Sequence, residues 1–237
     1  MTATVVLVHG AFSGAWTWRD VQADLRERGV DSRAVDLPTC NTNDPTTDFE
    51  SDAAFVEQVI DDIGGPVVLV GNSYGGVVIT GVDHSSVKRL VYIAAFMLRP
   101  NESVTLQILN AMQATEPAAT GFSFRDDGFA EMDIETNIPF AFNHAPPEQL
   151  EWIRANGMRP MAFKGDPSAV LKSAAWQTIP STYVVCDDDR SIRPDAQREW
   201  AKTQATDFVE WSADHCPQHS RPGDVVDLLA TLANDIT

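Results

Sequence analysis

The sequence predicts an α/β fold, a mostly parallel sheet covered by helices on both faces. Three observations carry that prediction. Apolar runs of strand length alternate with amphipathic stretches of helix length along most of the chain. The glycine-framed turn Gly71-Asn72-Ser73-Tyr74-Gly75-Gly76 stands between one such run and the next helix. The chain's 237 residues, 43% of them hydrophobic, suit one ordinary domain with a substantial core.

Taken in order, Thr4 to Val8 reads as a buried strand from its β-branched run, and His9-Gly10-Ala11-Phe12-Ser13-Gly14 follows as a loop. Trp16 to Arg28 reads as an amphipathic helix with Trp18, Val21 and Leu25 at helical spacing and Gly29 as its stop. Ser32 to Leu37 reads as the second strand. Phe49 to Ile63 is the next helix, with Ala53, Val56, Ile60 and Ile63 on one face, acids on the other, and Gly64-Gly65-Pro66 ending it. Pro66 to Val70 is a strand, Val77 to Val82 opens a buried helix, and Arg89 to Ala95 is a further strand. The alternation resumes with strand Thr182 to Cys186, helix Asp195 to Thr203, strand Asp207 to Trp211 and a final helix from Gly223 to Ala233.

Between these blocks the pattern breaks. Residues 97–161 carry two helix candidates, Ser103 to Met112 and Pro147 to Ala155, around an irregular middle. A long insert between core elements is more often a lid or binding loop than a second core. The expected organisation is therefore a core of residues 1–96 and 162–237 with a lid insertion over 97–161. Phe122, Phe124, Phe140, Phe142 and Trp152 are its candidate pocket-wall residues.

Composition excludes several function classes. A net charge of −17 disfavours nucleic acid and anionic membranes as partners. No apolar run approaches a membrane span, and the N-terminal apolar run reads as a core strand rather than a removable signal. Cys40, Cys186 and Cys216 are few, odd in number and widely spaced, which suits a reducing cytoplasm and gives no zinc pattern.

The chemistry concentrates at Ser73. In a strand, G-x-S-x-G, helix context the turn is sharp, so the serine takes a strained backbone and the glycines remove Cβ atoms that would clash. The hydroxyl is pushed out at the carboxyl ends of the strands, beside free helical N–H groups. A serine near neutral pH needs a base, and the base needs an acid to hold its tautomer. Of five histidines, His9 is too early, His84 reads as surface and His144 lies in the insert. His215 and His219 share a loop before the last helix, and His215 is preferred because it lies closer to the strand end. For the acid, Asp187, Asp188 and Asp189 all follow a strand, and spacing does not choose among them.

With these motifs in view, the chain resembles the α/β-hydrolase superfamily over nearly its whole length. The resemblance rests on the strand into His9-Gly10-Ala11-Phe12, on Gly71-Asn72-Ser73-Tyr74-Gly75, on Asp189-Arg190-Ser191-Ile192-Arg193-Pro194, and on Asp214-His215. The Gly14-Ala15-Trp16-x-Trp18 segment is similar to the small-esterase branch that includes plant methylesterases and hydroxynitrile lyases. In that branch the acid precedes a short turn ending in proline, which picks Asp189. The resemblance also implies Ser73 as nucleophile, His215 as base, and an oxyanion hole from the N–H groups of Phe12 and Tyr74. It implies no cofactor and a small or medium carboxylic ester as substrate. The lyases of the branch carry a threonine where this chain has Gly10 and a lysine where it has Cys216, so hydrolysis is expected. The competing readings are a non-hydrolytic enzyme on the same scaffold, a lyase or cofactor-free oxygenase, and a ligand-binding receptor.

Overall fold

The structure is a computed structural model that describes residues 2–112, 121–163 and 165–236. Its centre is a parallel sheet of six strands in the order β2-β1-β3-β4-β8-β9. These are β1 (Thr4–Val8), β2 (Ser32–Ala34), β3 (Val67–Asn72), β4 (Val87–Ile93), β8 (Ser181–Cys186) and β9 (Asp207–Trp211). Every pairing within the sheet is parallel.

Period-two alternation divides the core between the two faces of the sheet. Val5 and Leu7 of β1 and Val68 and Val70 of β3 pack with α1 (Arg19–Glu27) and α9 (Pro222–Asp235), through Val21, Leu25, Val225 and Leu229. Val6, Val8, Val67 and Leu69 face the other way. They pack with α2 (Phe49–Ile63), α3 (Gly75–Gly81) and α7 (Pro194–Thr203). The helix expected from Trp16 divides into a 3-10 turn, Ala15–Trp18, and then α1.

Helix α2 has the expected bounds. The Asp48 carboxylate caps its start by accepting from the Ser51 N–H at 3.0 Å, and Gly64, at φ 65°, ends it in the left-handed region. One feature departs from expectation: the acids do not all lie on the solvent face. Asp52 is fully buried beside Ala53, Val56, Val59 and Ile60.

The described residues of the insert carry more regular structure than the sequence suggests. After α4 (Val104–Ala111), a three-stranded antiparallel sheet forms from β5 (Phe122–Phe124), β6 (Phe129–Met132) and β7 (Met161–Ala162). Two helices, α5 (Ile134–Ala141) and α6 (Pro147–Asn156), lie between β6 and β7. The β5–β6 hairpin turns at Asp127-Gly128, where Gly128 takes φ 88°; this dipeptide is a turn signal that the mixed aromatic and acidic surroundings obscure. α5 starts at Asp133, which accepts from the Thr136 N–H at 2.8 Å, and it tolerates Pro139 in its interior. Among the described residues no helix is long and apolar enough to cross a membrane.

Candidate active site

Ser73 sits between β3 and α3 with φ 55°, a left-handed conformation that a serine adopts only under constraint. The constraint is close packing of the two glycines that frame it. A Cβ on Gly71 would lie 2.6 Å from the backbone of Gly75, and one on Gly75 would lie 2.7 Å from the Val8 carbonyl oxygen. Neither position tolerates another residue without moving backbone. The Ser73 carbonyl accepts from Gly76 and Phe96 N–H groups at 3.0 and 3.2 Å, which fixes the turn from both sides.

His215 lies on the segment from β9 to the short helix α8 (Pro217–Ser220). It is 6% exposed, and its Nδ1 is 2.7 Å from Asp189 Oδ2. Asp189 is 2% exposed and accepts from the Ser191 and Ile192 N–H groups at 2.7 and 2.9 Å and from Gln197 Nε2 at 2.7 Å. A carboxylate held by this many donors is an acceptor, so Nδ1 of His215 carries the proton and Nε2 is left as a base. His215 and Ser73 line the same cavity.

The other two aspartates of the run are placed differently. Asp187 is exposed. Asp188 receives His144 Nε2 at 2.7 Å and Asn143 Nδ2 at 3.1 Å, joining the insert to the core. His219, the alternative base, spends both ring nitrogens within α8's surroundings, on Thr17 Oγ1 at 2.7 Å and Gln149 Oε1 at 3.0 Å. Burial pushes it down to about 4. His84 pairs with Asp61 at 3.1 Å, away from the cavity. His9 donates from Nδ1 to the Gly10 carbonyl at 2.7 Å and accepts the Leu37 N–H at Nε2 at 3.0 Å, which pins the loop from Gly10 onward.

Two polar residues that sequence reasoning passed over complete the framework. Asn72 donates to the Ile93 and His215 carbonyls at 2.9 and 3.0 Å and accepts from Gln218 at 3.1 Å, tying the Ser73 turn to the His215 segment. Gln197, fully buried, bridges Asp189, the Ile192 carbonyl and the Cys186 N–H. Only the placement of Gln197 in the first helical turns after the Asp189 segment could have drawn attention to it.

The cavity holds about 580 Å³. Ile108, Met112, Phe122, Phe124, Phe142 and Met158 of the insert line it, opposite Gly10, Ser73 and Ile192 of the core. No Asp, Glu, Lys or Arg is among its described lining residues. Phe140 and Trp152, expected on its wall, lie elsewhere. Ala141 and Phe142 take that side of α5, leaving Phe140 half-buried off the cavity. Trp152 stacks under the Arg19 guanidinium, 3.9 Å from the ring centroid, and donates its indole N–H to the Trp16 carbonyl at 3.4 Å.

Phe12 does line the cavity, packing edge-on against Phe122 with ring centroids 5.9 Å apart. The Phe12 backbone takes a φ of 60°. Burial pushes the Cys40 thiol up to about 12. The neighbouring Ala11 also lines the cavity. A Cβ on Gly10 would stand 3.0 Å from Ser73 Cβ, so the loop presses directly on the serine. Among the described residues no group of three or more His, Cys, Asp or Glu side chains is arranged to hold a metal ion.

Residues 5–228 match the model of a family described as "Alpha/beta hydrolase family". The chain is 27% identical to "Alpha/beta hydrolase nvfD" of Aspergillus novofumigatus, covering 98% of this chain and 96% of that protein. It is 29% identical to "Methyl jasmonate esterase 1" of Vitis vinifera, covering 96% and 94%. Among solved structures, polyneuridine aldehyde esterase superposes with a TM-score of 0.82 at 23% identity, covering 98% of this chain and all (100%) of the other.

Proposed function

Because the chain belongs to the alpha/beta hydrolase family, we propose that it is a serine hydrolase cleaving a neutral carboxylic ester through an acyl-enzyme. The observation that carries the proposal is the His215–Asp189 hydrogen bond of 2.7 Å at a cavity shared with the strained Ser73. Relatives named as esterases support it.

Ser73 Oγ attacks the ester carbonyl carbon while His215 Nε2 takes the hydroxyl proton. Asp189 holds the imidazole tautomer and stabilises the imidazolium that forms. The tetrahedral oxyanion accepts hydrogen bonds from the Tyr74 N–H at the start of α3 and from the Phe12 N–H of the loop after β1, which lines the same cavity. One such donor typically accounts for roughly 10²- to 10³-fold in kcat. The intermediate collapses, the C–O bond breaks, and the departing alcohol takes the proton from His215. Water, deprotonated by the same histidine, then releases the acid.

The segment 97–161 serves as the lid, supplying Phe122, Phe124 and Phe142 to the apolar wall. The uncharged lining supports a neutral substrate, since a charged group would be desolvated there without a partner. The free, buried thiols of Cys40, Cys186 and Cys216 support work in the reducing cytoplasm. Hydrolysis is favoured over cyanohydrin cleavage because the buried Cys216 thiol, pushed well up by burial, offers no positive charge beside His215.

The test sets p-nitrophenyl esters of increasing chain length beside mandelonitrile, with a fluorophosphonate probe reporting on Ser73. Ester cleavage with labelling and no benzaldehyde supports the proposal. Ser73-dependent benzaldehyde release moves the protein to the lyases, and neither labelling nor turnover moves it to binding proteins.

A further inference from the structure

Asp52 is a fully buried carboxyl on the apolar face of α2. It accepts the Thr39 N–H at 2.9 Å on one oxygen, and the Thr39 hydroxyl at 2.7 Å and the Tyr74 hydroxyl at 2.8 Å on the other. Among the described residues no cation pairs with it, and burial raises it from 3.8 to about 6. A carboxyl at such a site is costlier than an apolar side chain of its size, so core packing does not account for it.

What distinguishes Asp52 is the residue it holds. Tyr74 directly follows Ser73, is 4% exposed, and lines two cavities at once. One is the cavity of about 580 Å³ that contains Ser73 and His215. The other, about 330 Å³, is bounded by the start of α2 and the Ala169 segment. The Tyr74 backbone is fixed on the side of β1, where Gly75 packs against the Val8 and His9 carbonyls. On the opposite side its hydroxyl is tied to Asp52.

Building on the serine-hydrolase reading above, we propose that Asp52 is a positioning residue: through the Tyr74 hydroxyl it holds the Tyr74 N–H toward the oxyanion and keeps the ring in the wall that the two cavities share. The tether spans from α2 and the Pro38–Cys40 turn to the residue after the nucleophile, so it couples the core's α2 face to the reacting atoms without touching substrate. Its removal loosens an oxyanion donor already formed by the fold, so it lowers kcat rather than raising KM.

The experiment compares Asp52→Leu, Asp52→Asn, Tyr74→Phe and the double variant Asp52→Leu/Tyr74→Phe in the full chain. Each is assayed for p-nitrophenyl butyrate turnover and for Tm, beside the unaltered chain and Ser73→Ala. The account expects Asp52→Leu and Tyr74→Phe each to lose roughly tenfold in kcat at nearly constant KM, with the double variant no worse than either alone. Asp52→Asn, which keeps an acceptor for the hydroxyl, retains most of the activity, and Asp52→Leu, which orphans the buried Thr39 and Tyr74 donors, lowers Tm. Ser73-dependent turnover together with full kcat in Tyr74→Phe, or with losses that multiply in the double variant, or with activity that only tracks Tm, overturns the tether and leaves the hydrolase standing. Should Asp52→Leu fail to fold, Tyr74→Phe decides alone. Absence of Ser73-dependent turnover in the unaltered chain removes the hydrolase and the tether together.

Discussion

His215 and Asp189, 26 residues apart in sequence, meet through a 2.7 Å hydrogen bond in which the carboxylate is also held by the Ser191, Ile192 and Gln197 donors. The acid is thus immobilised before the histidine is added, and the imidazole has one tautomer available. Asp189→Asn should therefore lower kcat by about 10³- to 10⁴-fold, since an amide donor forces the wrong tautomer. Asp187→Asn and Asp188→Asn should stay within about tenfold of the unaltered chain. Steady-state kinetics on the three variants check this; a severe loss at 187 or 188 with 189 spared would contradict it.

Gln197 should matter for both activity and stability. Replacing it by Met leaves the Cys186 N–H and the Ile192 carbonyl without their buried partner and removes a donor from Asp189. Each orphaned group costs about 1–3 kcal/mol. A chemical denaturation series and kcat measured on the same sample should both fall for Gln197→Met. Unchanged stability would show that the site relaxes around the loss.

The cavity wall distinguishes two neighbouring aromatics. Phe142 lines the cavity and Phe140 does not. Phe142→Ala should lower kcat/KM for long-chain esters roughly tenfold or more relative to acetate, while Phe140→Ala leaves the chain-length profile as it was. Equal effects from both would place the acyl chain elsewhere.

Acid stability follows from buried neutral histidines. Burial holds His9 and His219 at about 4, against an ordinary 6.5. Between those values the unfolded chain binds more protons, so stability rises with pH across the window. Asp52 acts oppositely. Burial raises it from 3.8 to about 6, so the folded state holds that proton longer, and its contribution falls as pH rises from about 4 to 6. Two histidines outweigh one aspartate, so melts should show Tm rising from about pH 4 to 6.5. Asp52→Asn should steepen the rise; a Tm that falls over this interval would contradict the assignment.

The sheet and its flanking helices were legible because the central strands β1, β3 and β8 bury both faces and each flanking helix carries a stripe. Val67 to Val70 and the Val21, Leu25 spacing leave little choice. The insert was not legible for local reasons. β5 is three residues long, too short for alternation to register, and Pro139 lies inside α5, where a helix pattern would normally be rejected. Side-chain direction was hidden as well. An aromatic residue in a lid does not announce which face it takes, so Phe140 and Trp152 read like Phe142. Asp52 read as part of a solvated face because its partners Thr39 and Tyr74 lie 13 and 22 residues away. Asn72 and Gln218 meet across 146 residues and are invisible to any local pattern.

The central claim, that Ser73 is the nucleophile of an ester hydrolase, is tested most directly by comparing kcat for p-nitrophenyl butyrate between the unaltered chain and Ser73→Ala, with folding of both verified by circular dichroism. The account predicts a loss of roughly 10³-fold or more. Turnover by Ser73→Ala within tenfold of the unaltered chain would contradict it.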